Sequence, residues 1–329
     1  MDFLKAESLP WLAGPIAQLR EAAGADRLPH SLLVLAAPGV GGDRLAAWAM
    51  AFALCDRGGP GDRGRPCGTC ASCLLLLADN HPDAHVVRRE EDAQQIKIDQ
   101  VRELIETLSQ KSYRGGYKVG WIENAEALNV NGANAFLKTL EEPTSRTLLI
   151  LTATRAHRLP ATILSRCLRL ALRAPDTDSA RAWLVAEAGP GDWDAALALA
   201  GGAPLLAAEF RDGGLGELDR DMREAVAQLA AQAVDVTLLA ERWTRGDPVM
   251  RVAWLENWIT GRIVAALGGP GSVQTAEPVR LPGALLKAKI RSLYALLDAA
   301  REFKRLASTG LNQQLALEAL LLRCRGALS

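Results

Sequence analysis

The chain carries no excess of charge of either sign: 38 lysine and arginine residues face 38 aspartate and glutamate residues, for a formal net charge of zero. A whole-chain polycation built to coat nucleic acid is thereby excluded, whereas a local basic patch is not. No apolar run approaches the ~18 residues of a membrane span. The opening residues, Met1 to Ser8, contain no apolar segment leading into a small-residue cleavage site, so the expectation is a soluble, cytoplasmic protein. A disulfide framework is also missing. Of six cysteines, four crowd between Cys55 and Cys73 while Cys167 and Cys324 stand alone, a distribution that fits a local metal site in a reducing compartment.

What is present is enough chain, 329 residues, for two or three domains. Arginine dominates the positive charge, which suits oriented ion pairs and phosphate contacts. The most informative stretch runs from Lys118 to Cys167. Two short apolar runs, 118–123 and 147–152, flank a helical pattern over 128–140 that starts beside Asn129 and Asn131 and is followed by Pro143. This predicts a β-α-β unit inside a parallel α/β sheet. Glu123, Asn124, Thr152 and, beyond Pro160, Arg166 are then expected at the carboxyl ends of the strands, the working edge of such sheets. Ordinary turn and capping roles are the alternative for Glu123, Asn124 and Arg166.

A first buried strand over 31–36 feeds Ala37-Pro38-Gly39-Val40-Gly41-Gly42-Asp43 and then an alanine-rich helix over 44–55. Strand, glycine-rich turn and helix are the setting of a phosphate-binding loop. Its chemistry is absent. Gly42 stands where a lysine would reach the β and γ phosphates, Asp43 where a hydroxyl would bind magnesium, and Ala36 where the motif begins with glycine. A carboxylate facing a triphosphate repels it, so the loop is not expected to support hydrolysis. Glycines kept for close helix–sheet approach are the structural alternative.

Cys55 follows at the end of that helix, and after a glycine- and proline-rich excursion comes Cys67-Gly-Thr-Cys70-Ala-Ser-Cys73. The C-x2-C-x2-C spacing places three thiolates around a tight turn, and Cys55 completes a tetrahedral set. Four sulfurs leave no open coordination position, so zinc held there would be structural. A metal-free thiol cluster, another metal and participation by His81 are the alternatives. An iron–sulfur cluster also uses four thiolates, but nothing else in the chain points to electron transfer. His81-Pro82-Asp83 reads as a turn ahead of a second strand. Lys111, Arg114 and Lys118, interleaved with Tyr113 and Tyr117, form the best local basic-aromatic patch, a possible DNA contact or a solvated loop.

The altered phosphate loop, the cysteine knuckle, His81-Pro82-Asp83, the run from Asn134 to Pro143 and Leu164-Ser165-Arg166-Cys167 occur in the order found in the bacterial DNA polymerase III clamp-loader delta-prime family, which this chain resembles over about residues 10–172. The resemblance implies an α/β AAA+ P-loop-like sheet domain with an inserted zinc module, followed by a small helical lid and an all-α collar. The expected boundaries are 1–172 for the core, with the cysteine module near 55–73, 173–212 for the lid and 213–329 for the collar. Glu123-Asn124 departs from the acidic pair of the motor relatives, and Thr152 matches their polar sensor. With Gly39, Gly41, Gly42 and Asp43 these form the degenerate nucleotide site.

The resemblance also implies that Arg166 acts in trans on ATP held by a neighbouring motor subunit. Its implied partners are the tau/gamma ATPase subunits, the delta subunit, the sliding clamp and primer-template DNA. A zinc-stabilised single-stranded DNA-binding protein centred on Arg114 and Lys118 is the alternative.

Toward the C-terminus, 177–188 and 192–200 read as short helices and Pro204 opens another. Residues 213–214 with Gly216 are expected as a linker. Apolar periodicity then predicts helices over 222–242, 249–267, 282–307 and 315–322, with a turn at 268–271. Trp254, Leu255, Trp258 and Ile259 form a stripe expected to pack in the core.

Overall fold

The computed structural model describes residues 3–57, 64–90, 93, 95–212, 215–246, 248–267, 283–306 and 312–328. They fall into two compact units, 1–187 with 203–206 and 188–202 with 207–329. Among the described residues no helix is long and apolar enough to cross a membrane.

The first unit follows the order α1 (Ala13–Gly24), β1 (Ser31–Leu35), α2 (Gly42–Leu54), α3 (Ala71–Leu77), β2 (Ala84–Val87), α4 (Ile98–Ser109), β3 (Lys118–Ile122), α5 (Val130–Glu141), β4 (Thr147–Ala153), α6 (Ala161–Leu164), β5 (Leu168–Ala171) and α7 (Thr177–Ala188). The strands form one parallel sheet in the order β2-β3-β4-β1-β5, with Leu33 opposite Leu151 and Leu32 opposite Leu168. Successive residues point to opposite faces. Leu32, Val34, Trp121 and Ile150 join α2 in one core, whereas Leu33, Ile122, Leu149 and Leu151 join α4 and α5 in the other. Burial on both faces is why these strands read as continuous apolar runs.

Strand β5 has no counterpart among the elements expected from sequence, because only Leu170 of its four residues is buried and an edge strand lacks the apolar run. Helix α5 starts where the asparagine cluster predicts. Asn129 is the N-cap, its side chain accepting from Gly132 N–H at 2.7 Å.

In the second unit, α8 (Trp193–Leu199) precedes α9 (Pro204–Asp212), whose first residues belong to the first unit. Helices α10 (Leu215–Ala230), α11 (Val236–Arg245), α12 (Pro248–Ala266), α13 (Gly283–Leu306) and α14 (Gln313–Leu328) follow. The single helix expected over 222–242 is two. Gln232 takes a positive φ of 53°, and Asp235 caps the new helix by accepting from Thr237 N–H at 2.8 Å. Gly216 lies inside α10, while 213–214 and 268–271 are outside the described residues. Trp254, Leu255 and Ile259 are buried in the bundle core with Trp258 against it, and Trp254 Nε1 donates to Asp219 at 2.9 Å.

Candidate functional site

The glycine-rich loop between β1 and α2 is closed by apolar side chains of its own unit. A Cβ on Gly39, whose φ is +74°, would overlap Leu206 Cβ and stand 2.7 Å from the Leu206 backbone nitrogen. Gly39 C=O accepts from Leu205 N–H at 3.1 Å, and Val40 C=O accepts from Trp11 Nε1 at 2.8 Å. Above Gly41, φ +97°, lie Leu9, Leu12 and Leu205. At Gly42 a Cβ would come within 2.8 Å of Ala36 Cβ, so a lysine at that position requires the loop to shift. Burial pushes the Asp43 carboxyl above its usual range, against the pull of Arg88 and Arg44.

The other positions of the degenerate site are engaged with protein partners, Asn124 with Thr152 and Glu123 with Arg88. Glu123 is paired with Arg88 at 2.7 Å. Asn124 adopts the left-handed region, φ 52°, and its N–H donates to Thr152 Oγ1 at 3.2 Å, to which Trp121 Nε1 also donates at 3.4 Å. The Thr152 hydroxyl, 5% exposed, therefore holds the β3–β4 edge together. Beside it, Glu126 accepts from Thr154 N–H and Thr154 Oγ1, each at 2.7 Å, and from Arg155 N–H. Neither Arg88 nor Glu126 carries a sequence signal, since each meets its partner about 30 residues away.

Arg166 is not at this edge. It precedes β5, and because β5 runs parallel to β1 the turn that feeds it lies at the amino ends of the strands, which corrects the expectation of a carboxyl-edge position. Ser31, the first residue of β1, donates its hydroxyl to Arg166 C=O at 2.6 Å. A five-residue strand, roughly 16 Å, separates the Arg166 turn from the glycine loop. The side chain is half-buried. Nε donates to Glu141 Oε1 at 2.8 Å, Nη2 also contacts that oxygen, and Nη1 donates to Thr162 C=O at 2.8 Å and Ser165 Oγ at 3.2 Å. Burial pushes the neighbouring Cys167 thiol up to about 11, as expected of a packing residue rather than a nucleophile.

The cysteines do converge. The Sγ atoms of Cys55, Cys67, Cys70 and Cys73 all lie within 4.8 Å of one another, with Cys55–Cys70 at 3.8 Å and Cys67–Cys73 at 4.0 Å. Sulfurs at the vertices of a tetrahedron with ~2.3 Å zinc–sulfur bonds stand ~3.8 Å apart, so the set fits zinc. Backbone N–H groups point at the sulfurs: Cys67 N–H to Cys55 at 3.3 Å, Cys70 N–H to Cys67 at 3.2 Å and Cys73 N–H to Cys70 at 3.4 Å. Such donors stabilise thiolate ligands and fix their orientation. Asp56 ties the module down by accepting from Ser72 N–H and Oγ at 3.2 and 2.8 Å and from Arg114 at 3.2 Å.

The basic patch divides. Lys118 is 6% exposed, its Nζ donating to Leu108 C=O, to Gln110 C=O at 2.6 Å and to Thr144 Oγ1 at 2.8 Å. Arg114 is paired with Asp56, and Lys111 is exposed. His81 and Asp83 are buried turn residues: His81 Nδ1 accepts from Asp83 N–H at 3.1 Å, and the Asp83 carboxylate accepts from Ser112 Oγ, Tyr113 N–H and Arg114 N–H at 3.0, 2.7 and 3.0 Å.

A family model described as DNA polymerase III, delta subunit, matches residues 13–176. The chain is 35% identical over 327 residues to DNA polymerase III subunit delta' of Pseudomonas aeruginosa, covering 97% of each. It is 30% identical over 320 residues to the Escherichia coli subunit of the same name, covering 95% of this chain and 94% of that one. To E. coli DNA polymerase III subunit tau it is 32% identical over 155 residues, 47% of this chain and 23% of that protein. With an AAA+-like parallel sheet and a convergent four-cysteine cluster, and with likeness to delta' subunits along almost its whole length, the chain belongs to the bacterial DNA polymerase III delta-prime subunit family.

Proposed function

We propose that this chain is a clamp-loader subunit that does not hydrolyse ATP itself and supplies Arg166 to the ATP site of a neighbouring tau/gamma subunit. It would act in a complex with the delta subunit to load the sliding clamp on primer-template DNA. The observation that carries this reading is the separation of the two parts of an ATP site on one sheet. The glycine loop at the carboxyl edge is filled by Leu205 and Leu206, whereas a guanidinium sits about one strand length away at the opposite edge. An arginine placed there cannot serve its own loop, but it can meet a γ phosphate carried by another subunit. The four thiolates would hold one structural zinc, which fixes α3 to the end of α2. The core, lid and collar divisions at 1–172, 173–212 and 213–329 are part of this proposal.

The single-stranded DNA-binding alternative has less to work with. The Lys118 ammonium is spent on two carbonyls and a hydroxyl, and Arg114 on Asp56. Its signature would be tight, strongly salt-dependent DNA binding by the isolated chain.

The test is Arg166→Ala in the assembled complex. Its ion pair with Glu141 is partly exposed and worth no more than ~1 kcal/mol, so folding, zinc content and stoichiometry should persist. Clamp- and DNA-stimulated ATP turnover should fall by the share of the one site that depends on this chain. Arg166→Lys should rescue poorly, because an ammonium does not reproduce the fork. Unchanged turnover and unchanged clamp loading with equal stoichiometry would remove the role in trans.

A further inference from the structure

The contacts of Arg166 leave its guanidinium almost fully committed before any partner arrives. Of five N–H donors, Nε and one on Nη2 face Glu141 Oε1, while the two on Nη1 have Thr162 C=O and Ser165 Oγ as acceptors. Glu141 is the last residue of α5 and reaches Arg166 across 25 positions. It presents a carboxylate to the edge that a bidentate oxyanion would use. A γ phosphate and the Glu141 carboxylate compete for the same donors.

We propose that Glu141 is the positioning residue for Arg166: it holds the guanidinium folded against the end of α5, and it is exchanged for phosphate oxygens when the neighbouring ATP site closes on this edge. The inference rests on the role in trans proposed for Arg166. Thr162 C=O and Ser165 Oγ, both within the α6 turn, remain on Nη1 during the exchange and serve as its pivot. Glu141 side-chain exposure of 48% lets water and a partner reach the pair. A partly exposed ion pair is a weak restraint, released by a modest difference in affinity rather than by unfolding. In the open complex the arginine is thereby kept from ATP, and in the closed complex the doubly charged phosphate outcompetes the carboxylate.

Glu141→Gln keeps the shape and removes the charge. In complexes of verified stoichiometry it should raise turnover without clamp and DNA at the one site that Arg166 serves by about two- to fivefold, the range a contact of this strength can hold back, so that the complex as a whole gains a smaller factor. The ratio of stimulated to basal turnover should fall by the same factor. Adding Arg166→Ala should abolish the gain. In the isolated chain with 15N-labelled arginine, Glu141→Gln should speed solvent exchange of the Arg166 Nε–H, and Glu141→Ala should do the same, so that a defect specific to one variant does not decide the matter. Basal turnover unchanged or lowered by Glu141→Gln, in a complex where Arg166→Ala still lowers stimulated turnover, overturns the inference and leaves the role of Arg166 intact. Unchanged Nε–H exchange overturns it too. If Arg166→Ala itself changes nothing, the role in trans fails and the restraint on it falls with it.

Discussion

Repairing the phosphate loop by Gly42→Lys with Asp43→Thr should not create an ATP site. The two changes restore the ammonium and hydroxyl that the motif lacks, and the ammonium can add about 1.5–3 kcal/mol as a charge-assisted hydrogen bond to phosphate. Against this stand two costs. The new Cβ at position 42 would lie 2.8 Å from Ala36 Cβ, an overpacking of the kind that costs about 1–3 kcal/mol. Phosphates also need the volume above Gly39 and Gly41 that Leu205 and Leu206 occupy. Both leucines are half-buried, so at about 1.5–3 kcal/mol for a fully buried side chain their joint displacement costs about 1.5–3 kcal/mol, roughly a factor of 10–100 in apparent affinity. The leucine cost falls on parent and variant alike, so it keeps the absolute affinity low without cancelling the gain between them. The expected result is a folded protein, less stable by about 1–3 kcal/mol in urea unfolding, whose ATP affinity by calorimetry rises by at most about 100-fold over the parent and stays weaker than micromolar. Adding Leu206→Ala should improve binding, because it empties the space over Gly39. Micromolar ATP binding or steady phosphate release by the double variant alone would refute the reasoning, since it would mean that residue identity and not the closed loop keeps nucleotide out.

Metal analysis of protein purified without chelator should find about one zinc per chain, and Cys70→Ser should lose it while the parallel sheet stays folded by circular dichroism; no metal together with four freely titratable thiols would remove the zinc reading. In the helical unit, Glu256 lies between Arg301 at 2.9 Å and Lys304 at 2.8 Å. Partial burial raises its pKa, but Lys304 and Arg301 outweigh it and hold the carboxyl below the usual range. The stability it contributes is therefore present above the unfolded value, about 4.3, and is lost as pH falls through the lower folded value. Glu256→Gln should cost about 0.5–1 kcal/mol at pH 7, and the gap from the parent should close below about pH 4; a gap that persists at pH 3 would show the contribution to be packing.

The amino-acid sequence by itself determined the elements whose cause is local. Continuous apolar runs dictate β1, β3 and β4 because both faces of those strands are buried, Asn129 marks the start of α5, and the cysteine spacing around residues 67–73 announces a tight turn that brings thiolates together. The missing lysine at Gly42 and the carboxylate at Asp43 were equally plain, since a motif is read from residue identity. The break between α10 and α11 was not, because apolar periodicity continues across it and only the Gln232 backbone and the Asp235 cap divide it.

Tertiary structure alone decided the rest, for one physical reason: long-range partners leave no mark on local pattern. Leu205 and Leu206 close a loop more than 160 positions earlier, Lys118 is buried because two carbonyls and a hydroxyl receive its ammonium, and Glu141 meets Arg166 because α5 ends where β5 begins. The edge of the sheet on which Arg166 sits followed from the direction of β5, a strand with one buried residue and hence no sequence signature, and that direction is what separates the guanidinium from the chain's own glycine loop.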